Sequence, residues 1–286
     1  MFKGAYTALI TPFKNGKVNY DKLGELIEFQ ISNEIDGIVI CGTTGESCTL
    51  TDKEKKKVIK YTIETVNGRV PVIAGTGSNN TKHAIELSKY AERVGANGLL
   101  LVTPYYNKTT QQGLIEHYLA IANSVTCPII LYNVPSRTGV NILPDTVVEL
   151  AKHENIIGIK EASNNFSQIL ELVSKLPKDF SVISGNDDTI VPLLSLGGKG
   201  VISVLSNIYP KDVHNMCKAY FELDIKYAKD LQLKHQEFIQ LLFKEVNPMP
   251  VKDAMNILGF DVGLPRLPLT SVSEHTHELL KNKLLH

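Results

Sequence analysis

Charge of either sign is not in excess: 30 Lys and Arg balance 30 Asp and Glu, for a formal net charge of zero. A nucleic-acid binder normally carries a basic excess or stripe, and neither is present. The densest cationic run, Lys53 to Lys57, is broken by Glu54 at the start of a helical pattern and reads as a solvated helix face. No apolar stretch reaches the ~18 residues of a membrane span. The opening Met1-Phe2-Lys3-Gly4 enters a strand-like segment at once, without the charged leader and apolar run of a signal peptide, so none is expected. Cysteine is scarce. Cys41, Cys48, Cys127 and Cys217 form no C-x-x-C pair and no metal-ligand spacing, which fits a reducing compartment, and a cytoplasmic location is expected.

Several familiar motifs are missing too. Gly75-Thr76-Gly77 lacks the third glycine of a dinucleotide fingerprint, and no glycine loop runs into Gly-Lys-Ser or Gly-Lys-Thr. Neither His-Glu-x-x-His nor Gly-x-Ser-x-Gly occurs. His275 and His277 have no third ligand nearby and read as a surface helix cap. Nothing in the sequence calls for a metal or an organic cofactor.

What is present is ordinary globular material: 286 residues, 43% hydrophobic and 21% charged. Short apolar runs recur at Tyr6–Ile10, Gly37–Cys41, Pro71–Ala74, Gly98–Val102, Pro128–Tyr132, Ile156–Lys160, Phe180–Ser184 and Gly200–Val204. Most are rich in Val, Ile and Leu on both parities, as strands buried on both faces must be. Between them lie helical patterns such as Tyr20–Asn33, Asp52–Val66, Thr81–Val94 and Gln112–Ser124. Thr51 or Asp52, and Asn80 or Thr81, are suited to cap two of them. Strand ends fall 20 to 33 residues apart, the length of one strand–helix unit, and eight such units make a closed (β/α)8 TIM barrel of ~250 residues or fewer. An open doubly wound sheet fits the same periodicity, but the count of eight favours closure. From Tyr209 onward the pattern is helical, at Pro210–Glu222, Ile225–Phe243, Val251–Leu258 and Ser273–Leu284. The expected organisation is a barrel over 1–208 and a C-terminal helical region, 209–286, packed on it, since no Gly/Ser-rich tether separates the two.

In such barrels reactive groups stand at the carboxyl ends of strands. Gly42-Thr43-Thr44-Gly45-Glu46-Ser47 follows the second predicted strand, and Tyr105-Tyr106-Asn107 the fourth. Tyr132 ends the fifth, ahead of Val134-Pro135-Ser136-Arg137-Thr138-Gly139, and Lys160-Glu161 ends the sixth. Lys160 closes an apolar strand, where burial disfavours an ammonium and leaves an amine able to attack a ketone. Tyr132, on the neighbouring strand, is placed to move protons during imine formation. Thr43 and Thr44 offer hydroxyls and loop amides to a carboxylate, and Arg137 offers a fork-shaped guanidinium. Each residue alone also has an ordinary reading: a snorkelling lysine, a buried tyrosine, a glycine turn, a solvated arginine.

Taken together, Gly42–Ser47, Thr103–Asn107, Tyr132–Gly139, Gly158–Ala162 and Asn247–Lys252 resemble the dihydrodipicolinate synthase family, of the pyruvate-dependent class I aldolase superfamily. The resemblance runs in register from Phe2 into the helical tail. It implies that Lys160 forms a Schiff base with pyruvate and that Tyr132 donates and accepts protons. Thr44 would hold the pyruvate carboxylate, with Ile202 lining the same pocket through its backbone. Thr43 and Tyr106 would complete a hydroxyl relay, Tyr106 reaching in from a neighbouring subunit, and Arg137 would bind the carboxylate of L-aspartate 4-semialdehyde. The implied protein is a cytoplasmic homotetramer, a dimer of tight dimers, serving lysine and diaminopimelate synthesis. Lysine-inhibited members hold the inhibitor at positions that match Ser47, Asn79 and Tyr105, but Lys55 and His83 depart from the responsive pattern, which implies weak or absent inhibition. Glu86, one turn beyond His83, is the residue that would restore a carboxylate. Two readings stay open beside this one: a sister lyase cleaving N-acetylneuraminate or a keto-deoxy sugar acid, and a silent barrel that binds a keto acid.

Overall fold

Residues of opposite parity along each strand go to different places, and that division builds the molecule. In the computed structural model, which describes Phe2–Leu285, eight parallel strands close on themselves. They are β1 (Gly4–Ala8), β2 (Gly37–Ile40), β3 (Val72–Gly75), β4 (Gly98–Val102), β5 (Ile129–Asn133), β6 (Ile156–Glu161), β7 (Ser181–Ser184) and β8 (Gly200–Ser203). β1 pairs with both β2 and β8, so no strand edge is left open. Tyr6, Val39, Ile73, Leu100, Ile130 and Ile202 belong to the cluster inside the barrel. The alternate residues, among them Ile38, Val72, Leu99, Leu131 and Ile159, join the larger cluster under the surrounding helices. The barrel is therefore a packed core at its amino-terminal end. Gly37 makes that packing possible, because a Cβ there would come within 2.1 Å of the Tyr6 ring.

Each predicted apolar run overlaps a strand; Gly98–Val102 matches at both ends, the others shift, and β1 begins two residues earlier than expected. Thr51 caps its helix in a reciprocal capping box with Glu54, and Asn80 caps Thr81–Arg93 by accepting from the His83 amide. One element was not anticipated, a two-stranded ribbon of Phe13–Lys14 with Lys17–Val18. Its turn is Asn15-Gly16, both with positive φ, the pair that a two-residue hairpin turn favours. The segment after β5 contains a single helical turn, Pro135–Thr138, stopped by left-handed Gly139.

Past the barrel strands come helices Pro210–Phe221, Ile225–Leu242, Met249–Ile257 and Glu274–Leu285. Pro210–Phe221 packs on β1 and on Ile225–Leu242, and Met249–Ile257 packs on Glu274–Leu285. The irregular stretch before the last helix returns to the rim of the barrel. There the Phe13 amide donates to the Val262 carbonyl, and Arg266 donates to the carbonyls of Thr49 and Gly16. Among the described residues no helix is long and apolar enough to cross a membrane.

Arg266 also forms two hydrogen bonds to Glu54, at 2.6 and 3.0 Å. These bonds, followed by those from Thr51, hold the Glu54 carboxyl down at about 2. A carboxyl lowered in the folded state binds protons more weakly there than in the unfolded chain. Its stabilisation is therefore complete above its ordinary 4.5 and is lost as pH falls toward about 2. Glu54→Gln should destabilise the protein at neutral pH by a modest, solvent-screened amount. Denaturant titrations should show the gap to wild type closing across that acidic window; a gap independent of pH would disprove the linkage.

Candidate active site

Parallel pairing in register sets Tyr132 opposite Lys160 and Asn133 opposite Glu161. Alternation then sends the first pair into the barrel mouth and the second outward. Lys160 is only 6% exposed, and its Nζ lies 4.5 Å from the centroid of the Tyr132 ring. Gly185, just after β7, leaves the space this lysine needs. A Cβ there would meet Ala162 Cβ at 2.7 Å and Lys160 Cε at 3.0 Å. Behind the pair, the buried Glu161 carboxylate accepts from the Ser163 amide at 2.7 Å and from Asn133 Nδ2 at 3.0 Å. Asn133 also donates to Asn141 at 2.8 Å, and its own Oδ1 accepts from the Ile142 amide. This outward polar cluster pins the ends of β5 and β6. It was not anticipated, although its residues directly follow Tyr132 and Lys160 in the chain.

Lys160 and Tyr132 open into a cavity of about 410 Å³ whose walls include Thr43, Thr44 and Arg137. Thr44 is buried, and its Oγ1 accepts from Asn247 Nδ2 at 3.0 Å. Arg137, on the short helical turn, donates through Nη2 to the Asn247 carbonyl at 3.2 Å. Asn247 thus joins the two residues expected to receive carboxylates. Its signal in the sequence is Asn247–Lys252, a segment that resembles the family and to which no role is assigned above.

Two of the expected residues are not in this cavity. Ile202 is fully buried inside the barrel in register with Tyr6, and Val204, two residues on, forms the cavity wall. Tyr106 is 92% exposed with φ of +71°, a left-handed conformation that is strained for a tyrosine. Within one chain it does not line the cavity that holds Lys160 and Tyr132.

Asp187 is a cavity residue that sequence reasoning passed over. One carboxyl oxygen accepts from the amides of Val204 and Leu205 at 2.9 and 3.0 Å. The other is buried with no partner among the described residues. Burial pushes this carboxyl up, opposed by the hydrogen bonds and by the charge of Lys160. Its signal was a pair of acids, Asp187-Asp188, just beyond a strand end.

On the other side of Arg137 lies a second cavity, of about 300 Å³, whose lining includes Ser47, Lys55 and Tyr105. Asn79 donates to the Tyr105 carbonyl at 3.2 Å. His83 is turned to Ser78 through Nδ1 and to Asp52 through Nε2, the latter at 3.0 Å. Glu86 is exposed on the same helix.

A buried amine beside a phenol, with hydroxyls and a guanidinium across one cavity, is equipped for imine chemistry on a small keto acid. The amine can act as a nucleophile, the phenol can carry protons, and the remaining groups suit carboxylates.

Comparison with known proteins agrees along the whole chain. The model of the dihydrodipicolinate synthetase family matches residues 1–286. The chain is 58% identical over 284 residues to a 4-hydroxy-tetrahydrodipicolinate synthase of Acetivibrio thermocellus, covering 99% of this chain and 97% of that protein. Among solved structures it is similar to dihydrodipicolinate synthase from Aquifex aeolicus, with a TM-score of 0.98, 47% identity and coverage of 99% and 97%. A monomeric dihydrodipicolinate synthase variant has a TM-score of 0.97 and 45% identity, with coverage of 99% and 96%.

The space kept by Gly185 gives a direct test of how closely Lys160 must be placed. Gly185→Ala should push the lysine stem aside and slow borohydride trapping of pyruvate by about tenfold to a hundredfold, while the protein stays folded. An unchanged trapping rate would show that the lysine tolerates the displacement.

Proposed function

The chain belongs to the dihydrodipicolinate synthetase family, and we propose that it condenses pyruvate with L-aspartate 4-semialdehyde to give 4-hydroxy-tetrahydrodipicolinate, on the route to diaminopimelate and lysine. The observation that carries this reading is the buried Lys160 amine against the Tyr132 ring at the mouth of the barrel.

The Lys160 amine attacks the pyruvate ketone, giving a carbinolamine that loses water to become the imine. Tyr132 returns the proton that lets the hydroxyl depart. The protonated imine then loses a methyl proton to give an enamine, a carbon nucleophile that free pyruvate does not supply. The enamine attacks the aldehyde carbon of the semialdehyde, whose oxygen takes up a proton. The amino group of the bound product next attacks the imine carbon, closing the ring and releasing Lys160 as a free amine. Thr44, in the wall of the same cavity, holds the pyruvate carboxylate, and Arg137 receives the carboxylate of the semialdehyde. Ile202, beneath the cavity, supports its floor. Arg137 after Pro135-Ser136 suits a short amino-acid aldehyde better than the polyol chain of a sugar acid.

The deciding experiment is turnover of pyruvate with L-aspartate 4-semialdehyde, set beside cleavage of N-acetylneuraminate and keto-deoxy sugar acids. Only the first should proceed at an enzymatic rate. Borohydride should trap pyruvate covalently on the wild-type protein, and Lys160→Ala should abolish the adduct. Trapping on another lysine would refute the assignment.

The conformation of Tyr106 supports a site shared between subunits of a homotetramer. Its exposed phenol is read as reaching the Thr43 and Tyr132 hydroxyls of a neighbouring copy, so that each relay needs two chains. Mixing Tyr106→Phe subunits with Lys160→Ala subunits should therefore restore activity, because one site of each hybrid dimer is intact. Confirmed hybrids without activity would rule out the shared relay. The free cysteines agree with a cytoplasmic location.

Inhibition by L-lysine should be weak or absent. Lys55 lines the second cavity and repels an ammonium, and His83, held by Asp52, stands where a carboxylate would attract one. At ~4 Å each such charge pair is worth about 1 kcal/mol in water and about 4 kcal/mol at an effective dielectric near 20. Initial rates titrated with lysine at saturating pyruvate provide the check. Strong inhibition at sub-millimolar lysine, removed by mutating Tyr105 or Asn79, would overturn this reading.

A further inference from the structure

We propose that Glu46 and Lys252 are positioning residues for the reaction: their buried ion pair clamps the Thr43–Thr44 loop to the C-terminal helices and sets where the keto-acid carboxylate binds. This inference rests on the reading of Thr44 as the group that holds that carboxylate. Lys252, on the helix Met249–Ile257, is 1% exposed, and its Nζ donates to Glu46 Oε1 at 2.6 Å. The other Glu46 oxygen accepts from the Arg266 amide at 2.9 Å. Lys252 Nζ also lies 4.3 Å from the centroid of the Phe13 ring. One carboxylate therefore ties the strand-end loop both to a helix and to the returning tail, across more than 200 residues of chain.

Two costs meet at this residue. Both charges are taken out of water, which is seldom repaid in stability compared with an apolar pair of similar volume. Glu46 also has φ of +54°, a left-handed conformation that non-glycine residues avoid. Costs of this kind persist where surrounding structure over-determines them, and here they border the cavity wall. The Glu46 amide donates to the Thr43 carbonyl at 3.0 Å, the Ser47 amide to the Gly42 carbonyl at 3.3 Å, and Thr11 Oγ1 to the Gly45 carbonyl at 2.6 Å. Just ahead of the helix that carries Lys252, Asn247 donates to the Thr44 hydroxyl. The same C-terminal segment thus grips the loop twice, once at the hydroxyl that faces the cavity and once at the turn that aims it.

The test is steady-state kinetics of the full-length protein with both substrates, alongside melting curves, on two variants. Glu46→Asp keeps the charge but shortens the tether by about 1.5 Å, and Glu46→Met/Lys252→Met replaces the pair by apolar chains. In both, the KM for pyruvate should rise at least about tenfold, turnover at saturating pyruvate should change far less, and the double variant should melt close to wild type. Lys252→Arg, which keeps the cation, should recover part of the pyruvate affinity. An unchanged pyruvate KM in a folded variant overturns the clamp while leaving the site assignment intact. If the double variant does not fold, Glu46→Asp decides alone. Failure of the wild-type protein to trap pyruvate on Lys160 would instead overturn the reading of the site, and the clamp with it.

Discussion

Lys160 faces Tyr132 because β5 and β6 run parallel in a register that places the two residues side by side, and most of the site depends on that pairing. A one-residue slip of β6 would turn Lys160 out under the helices and bring Glu161 into the barrel, and a slip of β5 would exchange Tyr132 and Asn133 in the same way. The outward polar cluster resists such a slip. Glu161 and Asn133 are satisfied only where they stand, by Ser163, Asn141 and Ile142, and inside the barrel they would lose those partners. The residues proposed to perform chemistry and the residues that hold the register alternate along the same two strands.

Buried Lys, Asp and Glu side chains are concentrated at one end of the barrel. Near the amino ends of the strands, Phe2 and Tyr6 fill the interior against other apolar side chains, with glycines making room for their rings. Near the carboxyl ends lie Lys160, Glu161, Asp187, Glu46 and Lys252, all buried. A buried charge is tolerable when hydrogen-bonded and paired. Glu46 and Lys252 pair with each other and Glu161 is hydrogen-bonded, whereas Asp187 keeps one oxygen without a partner among the described residues. The apolar end supplies stability that the reactive end draws down, a division that places catalysis and folding in different layers of one barrel.

The C-terminal region belongs to the site as much as to the scaffold. Asn247 connects Thr44 with Arg137, and Lys252 and Arg266 meet at Glu46. The strand-end loops alone would leave the receiving groups on a flexible rim. Helices and tail folded back over that rim turn it into a fixed wall, which suits the orientation of two carboxylates under the proposed reaction.

Much of this was legible in the residues themselves. Apolar runs on both parities pointed to eight doubly buried strands, and their number favoured a closed barrel over an open doubly wound sheet. The position of Lys160, Tyr132, Thr43 and Thr44 at strand ends determined that they would share one rim. Boundaries slipped where local signals were weak, and the Asn15-Gly16 ribbon was overlooked because its strands are only two residues long. Other features depend on contacts between residues far apart in the chain, which no local pattern encodes. The ties of Asn247 to Thr44 and of Lys252 to Glu46 span more than 200 positions. The depth of Ile202 below the cavity follows from the tilt and stagger of closed strands. The exposure of Tyr106 follows from a left-handed turn at the rim. Sequence alone brought Lys160, Tyr132, Thr43 and Thr44 to the mouth of the barrel, because parity and strand ends are local properties. Tertiary structure decided which of them touch, because register, closure and the return of the tail arise only when the whole chain packs.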